Sequence, residues 1–306
     1  MAKGFTSAIL LAGLGAILFS AKAIVVKLCY AHGADAATVL ALRMLFSLPF
    51  FWSAVWWVNK TQNLDPVCRK DRFALIVLGF LGYYVSSYLD FLGLETITVG
   101  LERIILYLTP AIVLVLSQFL LNKIISKRQW IAMAVAYLGV IVVFAQDVRF
   151  DGLPVVIGGL FVFASAISYA IYLIYSGEIV SRVGSIRLVA YASASATFFS
   201  VLQALIVNPV ALWSQPMAVY QLSVFNGSFC TFVPMLFIMI AVNRVGSGLA
   251  AQAGAIGPVA TIFLGWYFLA ERISVLQLVG MAIVLISMGI LLTVNRNQRP
   301  HLIDVE

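Results

Sequence analysis

The sequence GLERIILYLTPAIVLVLSQFLLN, Gly100 to Asn122, constrains this chain more than any other stretch. Ile104 to Leu121 is uncharged and long enough to cross the hydrocarbon core of a bilayer. Pro110 sits at its centre, where packing or another polar group must accommodate the missing backbone bond. The pattern returns 148 residues later as GLAAQAGAIGPVATIFLGWYFLAE: Gly100 falls on Gly248, Pro110 on Pro258, and Asn122-Lys123 on Ala270-Glu271. The chain reads as two copies of one unit, residues 1–146 and 147–306.

Composition agrees. Sixty-three per cent of the 306 residues are hydrophobic and 10% charged, against roughly 25% charged in soluble domains. So few charges cannot cover a soluble surface of this size, so the expected class is an all-α polytopic membrane protein. The net charge of +7 then points to cations gathered at one membrane face rather than to nucleic acid. Cys29, Cys68 and Cys230 are too scattered for a disulfide framework or metal cluster. The apolar N-terminal stretch resembles a signal peptide. It runs on to about Leu28 without a clean small-residue cleavage site, and reads as a retained helix.

Ten spans are expected: Phe5–Leu28, Ala36–Val58, Phe73–Leu94, Gly100–Asn122, Gln129–Ala145, Pro154–Tyr175, Leu188–Val207, Met217–Val242, Val245–Ala270 and Ile273–Val294. Gln146–Gly152 reads as the connector between halves, and Glu178, Arg182 and Arg187 as a polar turn. With the N-terminus inside, Lys60, Arg69, Lys70, Arg72, Lys123, Lys127 and Arg128 fall on the cytoplasmic side. The opposite loops hold only Arg149 and Arg272, so both termini are expected in the cytoplasm. Five spans per copy turn the second copy over, giving inverted repeats around a central cavity.

Lys22, Arg43, Asp90, Glu102 and Arg103 all fall inside expected spans, about 6–11 Å from the helix midpoints at 1.5 Å rise per residue. Such residues normally face a bundle interior or wet cavity and have partners. One reading is a polar vestibule opening outward. The other is structural: Asp90 pins helices by pairing with Arg103 or Arg43, while Glu102 and Arg103 snorkel to the outer interface. Lys22 has no acidic residue near it in sequence, and is the first candidate for contact with an anionic group.

The second copy offers neutral groups, with Asn226 and Gln252 well inside their helices, either as solute contacts or as helix glue. Tyr84, Tyr88 and Phe91 recur at intervals of four and three and are expected to share a face. With Tyr107 they either pack the core or line a cavity. Gly254, Gly257 and Pro258 mark a candidate kink, paired with Pro110.

At Gly100–Asn122 and Gly248–Glu271 the chain resembles the drug/metabolite transporter superfamily, and within it the ten-span EamA-type exporters. The marks are the repeated proline and the polar turns that follow, with Glu271 resembling the family's frequent acidic residue there. The resemblance implies a barrel-like ten-helix bundle around a cavity, rocking alternating access, and export of amino acids or related metabolites across a bacterial inner membrane. It carries no information on proton coupling or counter-substrate exchange.

The expected function is secondary transport of amino acids or related zwitterions; the alternative is transport or exchange of organic anions such as carboxylates or phosphorylated metabolites. Lys22, Arg43, Tyr84, Tyr88, Asp90, Arg103, Tyr107, Asn226 and Gln252 are the candidate substrate contacts. No nucleotide-binding, zinc-protease or serine-hydrolase motif is present, and His32 and His301 are isolated, so neither an enzyme nor a resident cofactor or metal is expected. The expected partners are a small-molecule substrate, the lipid bilayer and either a proton or a counter-substrate, with the chain as a monomer or homodimer.

Overall fold

A computed structural model describes residues 2–62, 66–122, 125–241, 244 and 256–297. Gln252 and Gly254 lie outside these residues, as does Lys123. The described chain is helical: α1 (Ala2–Ala31), α2 (Ala36–Gln62), α3 (Arg69–Leu94), α4 (Val99–Leu121), α5 (Lys127–Asp151), α6 (Leu153–Val183), α7 (Ser185–Val207), α8 (Met217–Ala241), α9 (Gly257–Leu269) and α10 (Val275–Asn297). Eight, α1 to α8, contain stretches long and apolar enough to cross a membrane; α9 and Val275–Ser287 are shorter apolar helices.

Several boundaries differ from expectation, and local chemistry explains them. No breaker interrupts the stretch after Ala145, so α5 runs on to Asp151 and the connector shrinks to Gly152 at φ 71°. Likewise α6 continues past Tyr175 to Val183. Glu178 and Arg182 lie on its last turns, and Gly184 at φ 85° supplies the stop. Glycine adopts this left-handed region without the side-chain clash. Arg182 Nη2 reaches the Asp71 carboxylate of α3 at 2.9 Å.

Span four is not one rod. An α-helix from Val99 ends at Leu106, Tyr107 and Leu108 form a turn, and a second segment starts at Thr109. Pro110 therefore stands in the first turn of a new helix, where its lacking N–H removes no internal bond. α9 begins the same way, with Pro258 in its first turn. Both segments end in left-handed residues, Asn122 at φ 52° and Ala270 at φ 53°.

The 148-residue spacing recurs in features the hydropathy pattern does not reveal. α3 widens into a π-turn at Phe80–Val85 and α8 at Ser228–Phe232, each directly after a glycine, Gly79 or Gly227. A π-turn inserts one extra residue into the helical ladder and bends it. Ser126 and Gln129 form a reciprocal cap at the start of α5, and Ser274 and Gln277 form another before α10. Helix pairing follows the same exchange: α1 packs on α9 as α6 packs on α4, and α3 on α6 as α8 on α1.

The equivalent helices α2 and α7 run antiparallel. Thr197 Oγ1 donates to Met44 O at 3.3 Å, and Arg187 Nε donates to Asn59 Oδ1 at 2.7 Å. α5 and α10 do the same, joined through Gln146 and Ser274 at one end, Gly139 and Gly280 in the middle, and Ala132 and Ser287 at the other.

Candidate functional site

The charged residues of the first half meet inside the bundle. Lys22, Arg43, Asp90, Glu102 and Arg103 are 7%, 4%, 2%, 0% and 5% exposed, so protein rather than lipid surrounds them. Lys22 of α1 places Nζ 2.7 Å from Asp90 Oδ2 of α3. Asp90 thus takes Lys22, instead of the expected Arg43 or Arg103. α1 can reach it because Tyr30 OH, two turns along, is tied to Phe91 O at 2.8 Å.

Phe91 is wholly buried and has cations near its ring: Lys22 Nζ at 5.7 Å and the Arg43 guanidinium carbon at 5.1 Å from the centroid. Phe19 lies 5.8 Å from the same Nζ. Such contacts stabilise a desolvated cation by about 0.5–2 kcal/mol. Arg43 Nη2 also donates to Ser87 Oγ at 3.1 Å. Successive turns of α3 therefore present Ser87, Asp90 and Phe91 to the charges of α1 and α2.

Glu102 and Arg103 do not snorkel. The first segment of α4 is enclosed by α6 and α9, and Thr98 caps its start by accepting from Leu101 N at 3.1 Å. Glu102 has no exposed surface; its nearest cationic group is Arg103 Nε at 3.7 Å, and Asp90 and Lys22 act on it electrostatically. Three cations thus accompany two carboxylates. Arg43 Nε and Arg103 Nε and Nη2 have no hydrogen-bond partner among the described residues, and the Glu102 and Asp90 carboxyls stand within hydrogen-bonding reach of each other.

The two helix breaks converge beside this cluster. Ser20, two residues before Lys22, donates to Gly257 O at 2.8 Å, at the start of α9. A Cβ on Gly257 would lie 3.1 Å from Ser20 Oγ and 3.6 Å from Tyr107 OH, so Tyr107 in the break of α4 faces the same point. Pro258 is buried just beyond.

The expected aromatic stripe is divided. Tyr84 and Tyr88 stack on each other at 6.3 Å, and Tyr84 also meets Phe199 of α7. Tyr84, Phe199 and Gln203 line a recess of about 270 Å³ between α3 and α7. Phe91 alone contacts the charged cluster, because it lies a turn further along α3, beside Asp90. Asn226, fully buried on α8, has neither amide atom hydrogen-bonded among the described residues. It adjoins Gly227, whose Cα faces the backbone of Arg43 and Ser47. Ser20, Ser87 and the role of Phe91 escape sequence reasoning, having no signal beyond residue type.

Glu271 joins the halves further along α1, at its C-terminal end. Its carboxylate accepts from Val99 N at 3.1 and 3.2 Å, capping α4, and lies 3.3 Å from Lys27 Nζ. A recess of about 650 Å³ lies at this α9–α10 turn, lined by Trp266, Tyr267, Ala270, Glu271, Arg272 and Ile273.

Apolar helices wrapped around buried charge, with proline-initiated half-helices beginning beside it, define a polytopic membrane bundle with a polar interior. Residues 6–145 and 156–294 each match the EamA-like transporter family. The chain belongs to that family, within the drug/metabolite transporter superfamily. It is 29% identical over 273 residues to the uncharacterized transporter YcbK of Bacillus subtilis (strain 168), covering 87% of this chain and 86% of that one. Similarity extends to YetK of the same organism, another uncharacterized transporter, at 25% identity over 86% of this chain and 77% of the relative. A third uncharacterized transporter, sll1319 of Synechocystis sp., is 21% identical over 83% of this chain and 78% of its own. A crystal structure of a protein, 16% identical, superposes with a TM-score of 0.64 over 96% of this chain and 99% of that one, showing a shared fold.

Proposed function

We propose that this protein is a secondary transporter exporting small organic metabolites, amino acids or related zwitterions, across a bacterial inner membrane by alternating access. In this reading ten spans form two inverted five-helix repeats, residues 1–146 and 147–306, with both termini cytoplasmic. The 148-residue recurrence of π-turns, caps and helix breaks supports the repeat, and the antiparallel packing of equivalent helices supports its inversion. One observation carries the substrate class: the Lys22–Asp90 pair sets both signs of charge side by side, buried in the bundle. Intramembrane charge is expensive and is found where function needs it. The surplus cation of the cluster favours a second reading, an organic-anion carrier or exchanger.

Proteoliposomes containing the purified protein and preloaded with single unlabelled solutes test the choice by counterflow of the matching labelled solute. The panel is the standard amino acids beside mono- and dicarboxylates and phosphorylated sugars. Accumulation of amino acids, absent from protein-free vesicles, is the expected result. Movement of the carboxylates or phosphates alone overturns the zwitterion reading in favour of the second.

A further inference from the structure

The Lys22–Asp90 pair joins α1 to α3 in the interior, and its surroundings are incompletely satisfied. Nζ is 2.7 Å from Oδ2, while the only other side chain within hydrogen-bonding reach of this carboxylate among the described residues is a second carboxyl, that of the wholly buried Glu102. Phe19 and Phe91 approach Nζ with rings, which stabilise a cation without offering its N–H donors an oxygen acceptor. A pair held this way has a specific weakness. Drawing its helices apart leaves two lone buried charges, which is strongly unfavourable unless each finds a new partner. A solute bearing one negative and one positive group on the same carbon supplies both partners at once.

We infer that the Lys22–Asp90 ion pair is itself the substrate receptor: a zwitterion enters between the two, its carboxylate taking Lys22 and its ammonium taking Asp90. The inference rests on the zwitterion reading above and assigns the poles of that substrate to two side chains. The empty carrier holds α1 and α3 together through the pair, and the loaded carrier replaces that bond with two others. A carboxylate lacking the ammonium satisfies Lys22 and strands Asp90; an amine lacking the carboxylate does the reverse. Selectivity for zwitterions then arises from the cost of the stranded partner rather than from the shape of a cavity. Arg43, fixed on Ser87 and the ring of Phe91, and Arg103, beside Glu102, supply background positive potential without being the primary contact.

The test compares the fastest-moving amino acid of the counterflow panel with its des-amino acid and its decarboxylated amine; for leucine these are 4-methylpentanoate and 3-methylbutylamine. Wild-type protein moves the zwitterion faster than either probe. In Asp90→Asn the zwitterion-to-carboxylate ratio falls by about tenfold or more, the change expected from losing one charge-assisted hydrogen bond. In Lys22→Met the zwitterion-to-amine ratio falls similarly. Variants that slow all three solutes in equal proportion, leaving the ratios unchanged, make the pair structural and overturn the inference while leaving amino-acid transport standing. Absence of any amino-acid counterflow in wild type removes both.

A second measurement keeps the pair intact, so it does not depend on the variants folding. Spin labels at His32→Cys and Glu95→Cys, in a Cys68→Ser background, report the separation of the ends of α1 and α3. The amino acid shifts that distance distribution and the des-amino acid does not. Identical distributions with both probes refute the wedge.

Discussion

Gly79 and Gly227 occupy equivalent positions before the two π-turns, and the structure makes a signed prediction about replacing them. An ideal Cβ on Gly79 would lie 2.5 Å from Ala192 O, 2.7 Å from Ala192 Cα and 2.8 Å from Ser195 Cβ. Two of those are backbone atoms of α7, so no rotamer change relieves the contact. Comfortable carbon contacts begin near about 3.5 Å, so α3 and α7 must separate by about 1 Å. Overpacking of this kind costs about 1–3 kcal/mol. Alanine recovers up to about 1 kcal/mol through its better helix propensity. Gly79→Ala is therefore expected to destabilise by about 1–2 kcal/mol. Gly227→Ala, whose Cβ would meet Arg43 O at 2.8 Å and Ser47 N at 2.9 Å, is expected to lose a similar amount. Gly177 on α6 is the control: nothing lies within 4 Å of its Cβ position, so Gly177→Ala retains only the propensity gain and stabilises by about 0.5–1 kcal/mol. Thermal unfolding of the three variants in one detergent, followed by tryptophan fluorescence, reads the signs directly. If Gly79→Ala melts at or above wild type, the close approach of α3 to α7 is not what that glycine is for.

Two further substitutions probe the ends of the broken helices. Glu271→Ala removes the acceptor for Val99 N and the partner of Lys27; it is expected to cost about 2–3 kcal/mol, with Glu271→Gln losing about half as much because one acceptor remains. The same melting assay checks this, and equal midpoints for wild type and Glu271→Ala would remove the cap from the account. Ala270 holds a left-handed conformation at φ 53° that glycine adopts freely, so Ala270→Gly is expected to raise the midpoint by the equivalent of about 1 kcal/mol.

Hydropathy was enough to place most helix ends within a few residues, because a membrane span is a local property of about twenty consecutive side chains. The extension of α5 to Asp151 was legible too, since Gly152 is the first breaker met after Ala145; that of α6 to Val183 was less so, because Gly177 and the charged Glu178 read as a turn although the helix runs through both to Gly184. The paired caps at Ser126-Gln129 and Ser274-Gln277 were likewise readable as Ser-x-x-Gln before an apolar run. The π-turns were not, since a widened turn has no composition of its own. Nor was the partner of Lys22. Sequence proximity offers it no acid, and the structural reading of the sequence pairs Asp90 with an arginine; the fold joins Lys22 and Asp90 across 68 residues.

From the amino-acid order alone come the membrane class, the doubled unit and the presence of charges too costly to leave in lipid. Which charge meets which was decided only in three dimensions. Contact between residues on separate helices depends on how far each helix is rotated and how closely the two approach. Those quantities are set here by glycines that admit a neighbouring backbone, by turns that add a residue, and by prolines that start a helix afresh.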